Sequence, residues 1–220
     1  MAKGWRFDSK RHSLASRGIK SPQRCNLRPF KQNNLQEIFS GLKEISIKYH
    51  QIWVDEEKGK ITREERDLRF KKLNNEVGIK QIDLFKRLFN HREQLKVPVK
   101  FNYEDYPIVN NIYTGDSNNG RIVMMTPDEY LRLVALFQTN DDGTKSSTVS
   151  WRVIKELIPK VKKSGKINVG YLDIEHGKVI SQEGRHNAVI SKIFGIEKIP
   201  VGIFGEFWDF DVNTTKPQYD

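Results

Sequence analysis

The run Ser181-Gln182-Glu183-Gly184-Arg185-His186-Asn187-Ala188, followed after a short apolar stretch by Gly195-Ile196-Glu197-Lys198-Ile199-Pro200-Val201, decides how the C-terminal half is read. A strand ends at Ser181, Gly184 allows a tight turn, and the helix that follows stops at Gly195 before a buried strand over 199–204. The free N–H groups and positive dipole end of that helix face whatever lies over the strand, so the turn is an anion site in outline. Upstream, 121–125 reads as a strand, and Thr126-Pro127-Asp128-Glu129 as a helix start with a Thr cap and an early Pro, continuing through Leu133 and Phe137. Residues 140–147 form a polar loop, 151–161 a second helix, and 167–174 and 179–181 two strands turned at His176-Gly177.

Working back toward the N-terminus, the texture becomes helical. Leu35, Ile38, Phe39, Leu42, Ile45, Tyr49, Ile52 and Trp53 recur at helical spacing and make one apolar stripe. A break at 55–60 precedes Thr62 and Glu65, a capping box that opens a second helix through Leu68, Leu73 and Val77 up to Gly78. A third short helix carries Ile82, Phe85, Leu88 and Phe89 on one face and Lys86, Arg87, His91 and Arg92 on the other. The turn at 54–65 mimics a calcium loop at Gly59, Ile61 and Glu65, but Val54 and Lys58 stand where oxygen ligands are needed, so an ordinary helical hairpin is expected.

Composition sets the outer limits. The 220 residues carry a formal net charge of +10, 10% aromatic residues and a single cysteine. That is enough apolar material for a core, and too little cysteine for an internal disulfide or a zinc knuckle. No apolar run reaches the roughly 20 residues of a bilayer span, and no hydrophobic block follows the N-terminal charges, so neither a membrane nor a secretory signal is expected. The charge is concentrated. Residues 1–35 hold nine bases (Lys3, Arg6, Lys10, Arg11, Arg17, Lys20, Arg24, Arg28, Lys31) against Asp8 alone, which leaves only +2 for the remaining 185 residues. An arm of this kind, with Gly4, Gly18, Pro22 and Pro29 and little amphipathic period, is expected to stay flexible until it meets a polyanion; Trp5, Phe7 and Phe30 are candidates to stack on bases or pack on a groove wall. A solubilising tail, or an arm folded over an acidic face of its own domain, is the bland alternative.

The pattern acidic-Gly-x-x-x-Ala, a helix of about ten residues, then Gly-Ile-x-x-Ile-Pro-Val resembles the signature of the ParB/sulfiredoxin-like superfamily. Met125-Thr126-Pro127-Asp128-Glu129-Tyr130-Leu131 ahead of Glu183-Gly184-Arg185-His186 is similar to phage and plasmid proteins of the ParB-like nuclease type. The resemblance spans about residues 119–205. The opening Lys3-Gly4-Trp5-Arg6 and His12-Ser13-Leu14-Ala15-Ser16-Arg17-Gly18 resemble the leader of archaeal virus and plasmid proteins. The resemblance implies a small mixed-sheet ParB/sulfiredoxin-like domain over 98–207; together with the basic flexible arm (1–34) and helical hairpin region (35–97), read from charge and periodicity, and a C-terminal tail (208–220), it makes the expected chain α+β in four parts.

It further implies that Gly184, Arg185 and Asn187 contact a phosphate or nucleotide (CTP or ATP), that Glu183 holds a divalent metal or orients water, and that His186 donates to phosphate or relays a proton. The family's usual Arg, three residues after the Gly, is Asn187 here, a neutral donor in place of a bidentate cation, which leaves nucleotide hydrolysis and nuclease activity open. DNA is the expected partner through the arm, with self-association as a second partner class, in the cytoplasm or a virion. The rival reading is a non-catalytic structural or assembly protein of a virus or plasmid that holds nucleic acid through the arm. Plain structural roles stand beside each assignment: Gly184 as a turn, Glu183 as a dipole cap, Arg185 in solvent and His186 as a packed side chain. Asp141 and Asp142 read as loop residues turning with Gly143, Trp151, Tyr171 and Phe194 as core, Trp208 and Phe210 as a staple for the tail, and 213–220 as disordered.

Overall fold

The computed structural model describes residues 30–137 and 149–218. Two long helices lead, α1 (Phe30–Glu57) and α2 (Arg63–Phe89), followed by α3 (Arg92–Leu95), β1 (Lys100–Asn102), α4 (Pro107–Thr114), β2 (Gly120–Met125), α5 (Pro127–Leu133), α6 (Trp151–Ser164), β3 (Lys166–Asn168), β4 (Gly170–Glu175), β5 (Lys178–Glu183), α7 (Arg185–Ile193) and β6 (Ile199–Gly205). The class is α+β, with mixed sheets. α1 starts inside the stretch assigned to the arm, so Lys31 sits on this helix; the other eight arm cations, with Trp5, lie outside the described residues. Asp141 and Asp142 lie outside them as well.

The hairpin is built on most of its expected stripe, although Trp53 and Leu68 are exposed rather than buried. Ile38, Leu42, Ile45 and Ile52 of α1 and Leu73, Val77, Leu84 and Phe85 of α2 share one buried cluster. At the connection Gly59 is left-handed (φ +66), the Thr62 hydroxyl accepts from the Glu65 N–H (3.2 Å), and the Glu65 carboxylate accepts from the Thr62 N–H (2.9 Å). Asp55 faces Lys60 and Arg69, each at 3.5 Å. The carboxylates of the calcium-like loop are therefore spent on the cap and on ion pairs. One expectation fails: α2 does not stop at Gly78 but runs through it, taking in the helix expected from Ile82 onward. A mid-helix glycine costs about 1 kcal/mol against alanine, less than the burial of Val77, Ile82 and Phe85 on either side returns.

The hairpin does not stand apart from the rest. Phe39 stacks on Trp151 at the start of α6 (centroids 5.5 Å), Phe85 meets Trp151 edge-on (6.1 Å), and Phe85 and Phe89 both contact Phe137 (5.0 and 5.5 Å). Hairpin and α+β body thus share one core. α5 ends at Leu133 rather than continuing through Phe137, because Ala135 and Phe137 adopt positive φ (51° and 59°) and swing the Phe137 ring toward α2.

A four-stranded sheet in the order β2-β6-β4-β5 forms the body: β6 is antiparallel to β2 and parallel to β4, and β5 is antiparallel to β4. The β4–β5 link, His176-Gly177, is left-handed at both residues (φ 51° and 67°), as a two-residue hairpin turn demands. The stretch 167–174, expected as one strand, divides at Val169. β3 pairs in parallel with β1 while β4 enters the main sheet. β1 and α4 have no counterpart in the sequence reading. α4 covers one face of the sheet, with Val109 Cγ2 3.2 Å from where a side chain on Gly202 would begin. On the other face, α5 and α7 bury Leu131, Ile190 and Phe194 in the same core as Leu172, Val201 and Ile203.

Trp151 and Phe194 are buried as expected, whereas Tyr171 is half-buried and meets Tyr106 and Phe204 at the sheet surface. The tail corrects two further expectations. Phe210 is buried, but Trp208 is 76% exposed and staples nothing. Residues 213–218 are held rather than loose: the Lys216 N–H donates to Gly177 O (2.9 Å), the Gln218 N–H donates to Leu133 O (3.0 Å), and Thr215 is buried. No described helix is long and apolar enough to cross a membrane.

Candidate functional site

The β5–α7 turn is a backbone junction. Gly184 has φ +101, and a Cβ placed on it would lie 2.5 Å from Gly170 Cα; a Cβ on Gly170 would lie 2.4 Å from Glu183 O. Both glycines are therefore required sterically, which gives Gly184 a structural role beside any contact with a ligand. The first intrahelical bond of α7 runs from the Ala188 N–H to Gly184 O (2.9 Å), so the amides of Arg185, His186 and Asn187 have no intrahelical acceptor, and no side chain caps this end.

Around the turn the implied residues separate into an outer and an inner set. Glu183 and Arg185 are exposed, whereas His186 and Asn187 are half-buried. The Nε2 of His186 is buried and lacks a hydrogen-bond partner. Burial, and then the Arg185 charge, push its pKa down to about 4, so the imidazole is neutral at pH 7. No hydrogen bond or ion pair joins Glu183 to His186 among the described residues. Asn187 lines a crevice of about 10 Å³ shared with Phe101, Tyr130, Asn168, Gly170 and Gly184. That volume is on the scale of a single water, so a nucleotide cannot enter it, and a phosphate at this turn would lie on the outer surface beside Arg185.

Three tyrosines surround the turn: Tyr130 from the Thr126 helix start, Tyr171, expected as core, and Tyr106, which has no counterpart among the expected residues. Tyr130, from α5, is fully buried and donates to Glu183 O (2.7 Å), tying the Thr126–Leu131 segment to the turn. Tyr106 meets Tyr171 edge-on at 5.6 Å. Burial raises the pKa of all three phenols, with the Glu183 carboxylate adding to the effect, and Tyr130 is held well above the ordinary tyrosine value. The signal for Tyr106 lay in its packing against Tyr171, sixty-odd residues away, which no local pattern reports.

Two other features bear on ligands. A cavity of about 740 Å³ lies away from the turn, between the end of α2, α3, the start of α5 and the end of α7. Four cations there (Lys86, Arg92, Lys96, Lys192) face three carboxylates (Glu93, Asp128, Glu197), and Lys192 is already paired with Asp128 and seated over the Phe89 ring. Its charge is nearly balanced. Among the described residues, no group of three or more His, Cys, Asp or Glu side chains gathers where it could hold a metal ion; at the turn, Glu183 is the carboxylate available to one. Comparison of the chain with family models, curated proteins and solved structures finds no match.

Proposed function

We propose that this is a nucleic-acid-associated protein in which the basic arm supplies most of the phosphate contacts and a ParB/sulfiredoxin-like turn at Glu183 to Asn187 holds a phosphate on the surface of the body. The observation that carries the reading is left-handed Gly184 delivering β5 into an uncapped α7, with Arg185 exposed beside the open amides. Binding is favoured over cleavage. A hydrolytic pair would need Glu183 and His186 on one substrate, yet the former faces solvent while the latter turns a neutral, buried nitrogen inward. This supports a structural or assembly role on a virus or plasmid over a ParB-like nuclease or a CTP or ATP hydrolase, and Asn187 in place of the usual Arg points the same way.

The test is fluorescence anisotropy on labelled DNA across a salt series, comparing the full chain, a chain starting at Phe30 so that α1 stays whole, and Arg185→Ala. Deleting the arm should remove most of the salt dependence, and Arg185→Ala should weaken binding by a few-fold while leaving the melting temperature within about 2 °C. A magnesium-containing aliquot run on a gel should show intact DNA. Cleaved DNA, or salt dependence untouched by loss of the arm, would overturn the reading.

A further inference from the structure

Outside the arm, the largest local excess of positive charge follows α6 into the start of β3. Residues 151–166 hold six bases (Arg152, Lys155, Lys160, Lys162, Lys163, Lys166) and one acid, Glu156, a net +5, whereas residues 36–220 as a whole carry +2. The rest of the body is therefore net acidic, and the excess is local. α6 turns Trp151, Ile154 and Val161 into the core and leaves its five bases exposed, and Lys166, at the start of β3, is exposed as well. Among the described residues, none of the six makes an ion pair or a hydrogen bond through its side chain. Glu156, four residues from both Arg152 and Lys160 but bonded to neither, is the one carboxylate on the helix.

Two neighbours sharpen the chemistry. Lys166 lies opposite Lys100 in the parallel β1–β3 ladder, both exposed, an unfavourable pairing of like charges that a polyanion would relieve. Along the α1 side of α6 runs an apolar groove of about 420 Å³, lined by half-buried Phe39 and Ile158, with the buried Trp151 ring stacked beneath Phe39, and flanked by Lys43 and Lys155. Unpaired cations beside an aromatic-lined groove fit a chain that carries phosphates and has flat bases free to enter it. Arg152 to Lys163 spans about 16 Å along the helix, the length of two to three nucleotides of an extended strand.

We propose that the exposed face of α6, with the Phe39–Trp151 groove beside it, is a second nucleic-acid contact, built into the ordered body and taking single-stranded nucleic acid. This rests on the nucleic-acid reading above and adds a site that neither the arm nor the β5–α7 turn supplies. The groove seats a base and the α6 lysines neutralise the flanking phosphates.

The experiment uses the full chain, labelled single-stranded and duplex DNA of equal length, and a salt series. The variant Lys155→Gln/Lys162→Gln/Lys163→Gln is compared with Lys71→Gln/Lys72→Gln on the exposed side of α2, with melting curves to show that both fold. The α6 variant should lose tenfold or more in affinity for the single strand near physiological salt, and its slope of log affinity against log salt should become shallower by about 2. The α2 control should stay within about twofold of wild type. A folded α6 variant that binds both DNAs like the control overturns the proposal and leaves the arm-based reading standing. A loss larger on duplex than on single strand overturns the single-strand assignment. A wild-type chain that binds neither DNA overturns both readings, and capture of that chain by vesicles of phosphatidylserine, lost in the α6 variant, would reassign the face to an anionic lipid surface.

Discussion

Two junctions hold this molecule together, and they are built by opposite means. Where the hairpin meets the body, large rings do the work: Phe39, Phe85, Phe89, Phe137 and Trp151 touch in pairs at centroid distances from 5.0 to 6.2 Å. Where β5 turns into α7, side chains are excluded, and Gly170 and Gly184 bring two backbones into direct contact. The first junction tolerates rearrangement because rings can re-pack, and its strength scales with buried area. The second is a matter of fit, since peptide atoms at van der Waals distance cannot yield to an added carbon.

The contrast is broken most severely at the ring junction. Trp151→Ala should cost about 3–5 kcal/mol, read as a lower urea midpoint, because it empties a buried site shared by α1, α2 and α6. A loss under about 1 kcal/mol would mean that the hairpin is an appendage rather than part of the core. At the second junction, Gly184→Ala should cost about 3 kcal/mol, combining a strained positive φ with overlap on Gly170. Gly177→Ala separates those two contributions. It has a similar positive φ (+67) but nothing within 4 Å, so it should cost only about 1 kcal/mol. Equal losses at 184 and 177 would show that close approach contributes nothing at the turn.

Between these in size lies a pH effect on the same turn. The folded state holds His186 near pKa 4, against an ordinary value of 6.5 in the unfolded chain. Above pH 6.5 the group is neutral in both states and does not affect stability. Between 6.5 and 4 the unfolded chain takes up a proton that the folded chain refuses, so stability falls as the pH falls through that window. Partial exposure limits the loss to on the order of 2 kcal/mol. Denaturant midpoints from pH 7 to pH 4 should show this decline, and His186→Asn should flatten it; an unchanged slope in the variant would place the pH dependence elsewhere.

These effects also mark what could be read along the chain. The hairpin was legible because Leu35 to Trp53 repeat at helical spacing and Thr62 with Glu65 spell a capping box, both of them properties of neighbours within one turn. The strand-turn-helix at Glu183 to Asn187 was legible for the same reason. Gly78 misled because local propensity outweighs packing in a sequence reading, while in the folded chain the buried stripe on both sides carries the helix through. The split at Val169 was hidden because it depends on β1, sixty-odd residues earlier, offering Asn102 O to the Val169 N–H (2.8 Å). The charge excess of 151–166 lay in plain view as composition, yet its meaning needed the helix to show which side of it faces solvent.

The sequence by itself determined the helical hairpin, the α+β class, the concentration of charge in the first 35 residues and the glycine turn into α7, because periodicity, capping and charge are read within a few residues of one another. Only the tertiary structure decided that the hairpin shares a core with the body, that Glu183 faces solvent while His186 turns inward, that the crevice beside Asn187 holds about 10 Å³, and that the α6 bases stand unpaired. Each of those facts concerns residues brought together from distant parts of the chain, where the free energy of packing, and not the preference of any local segment, sets which groups meet.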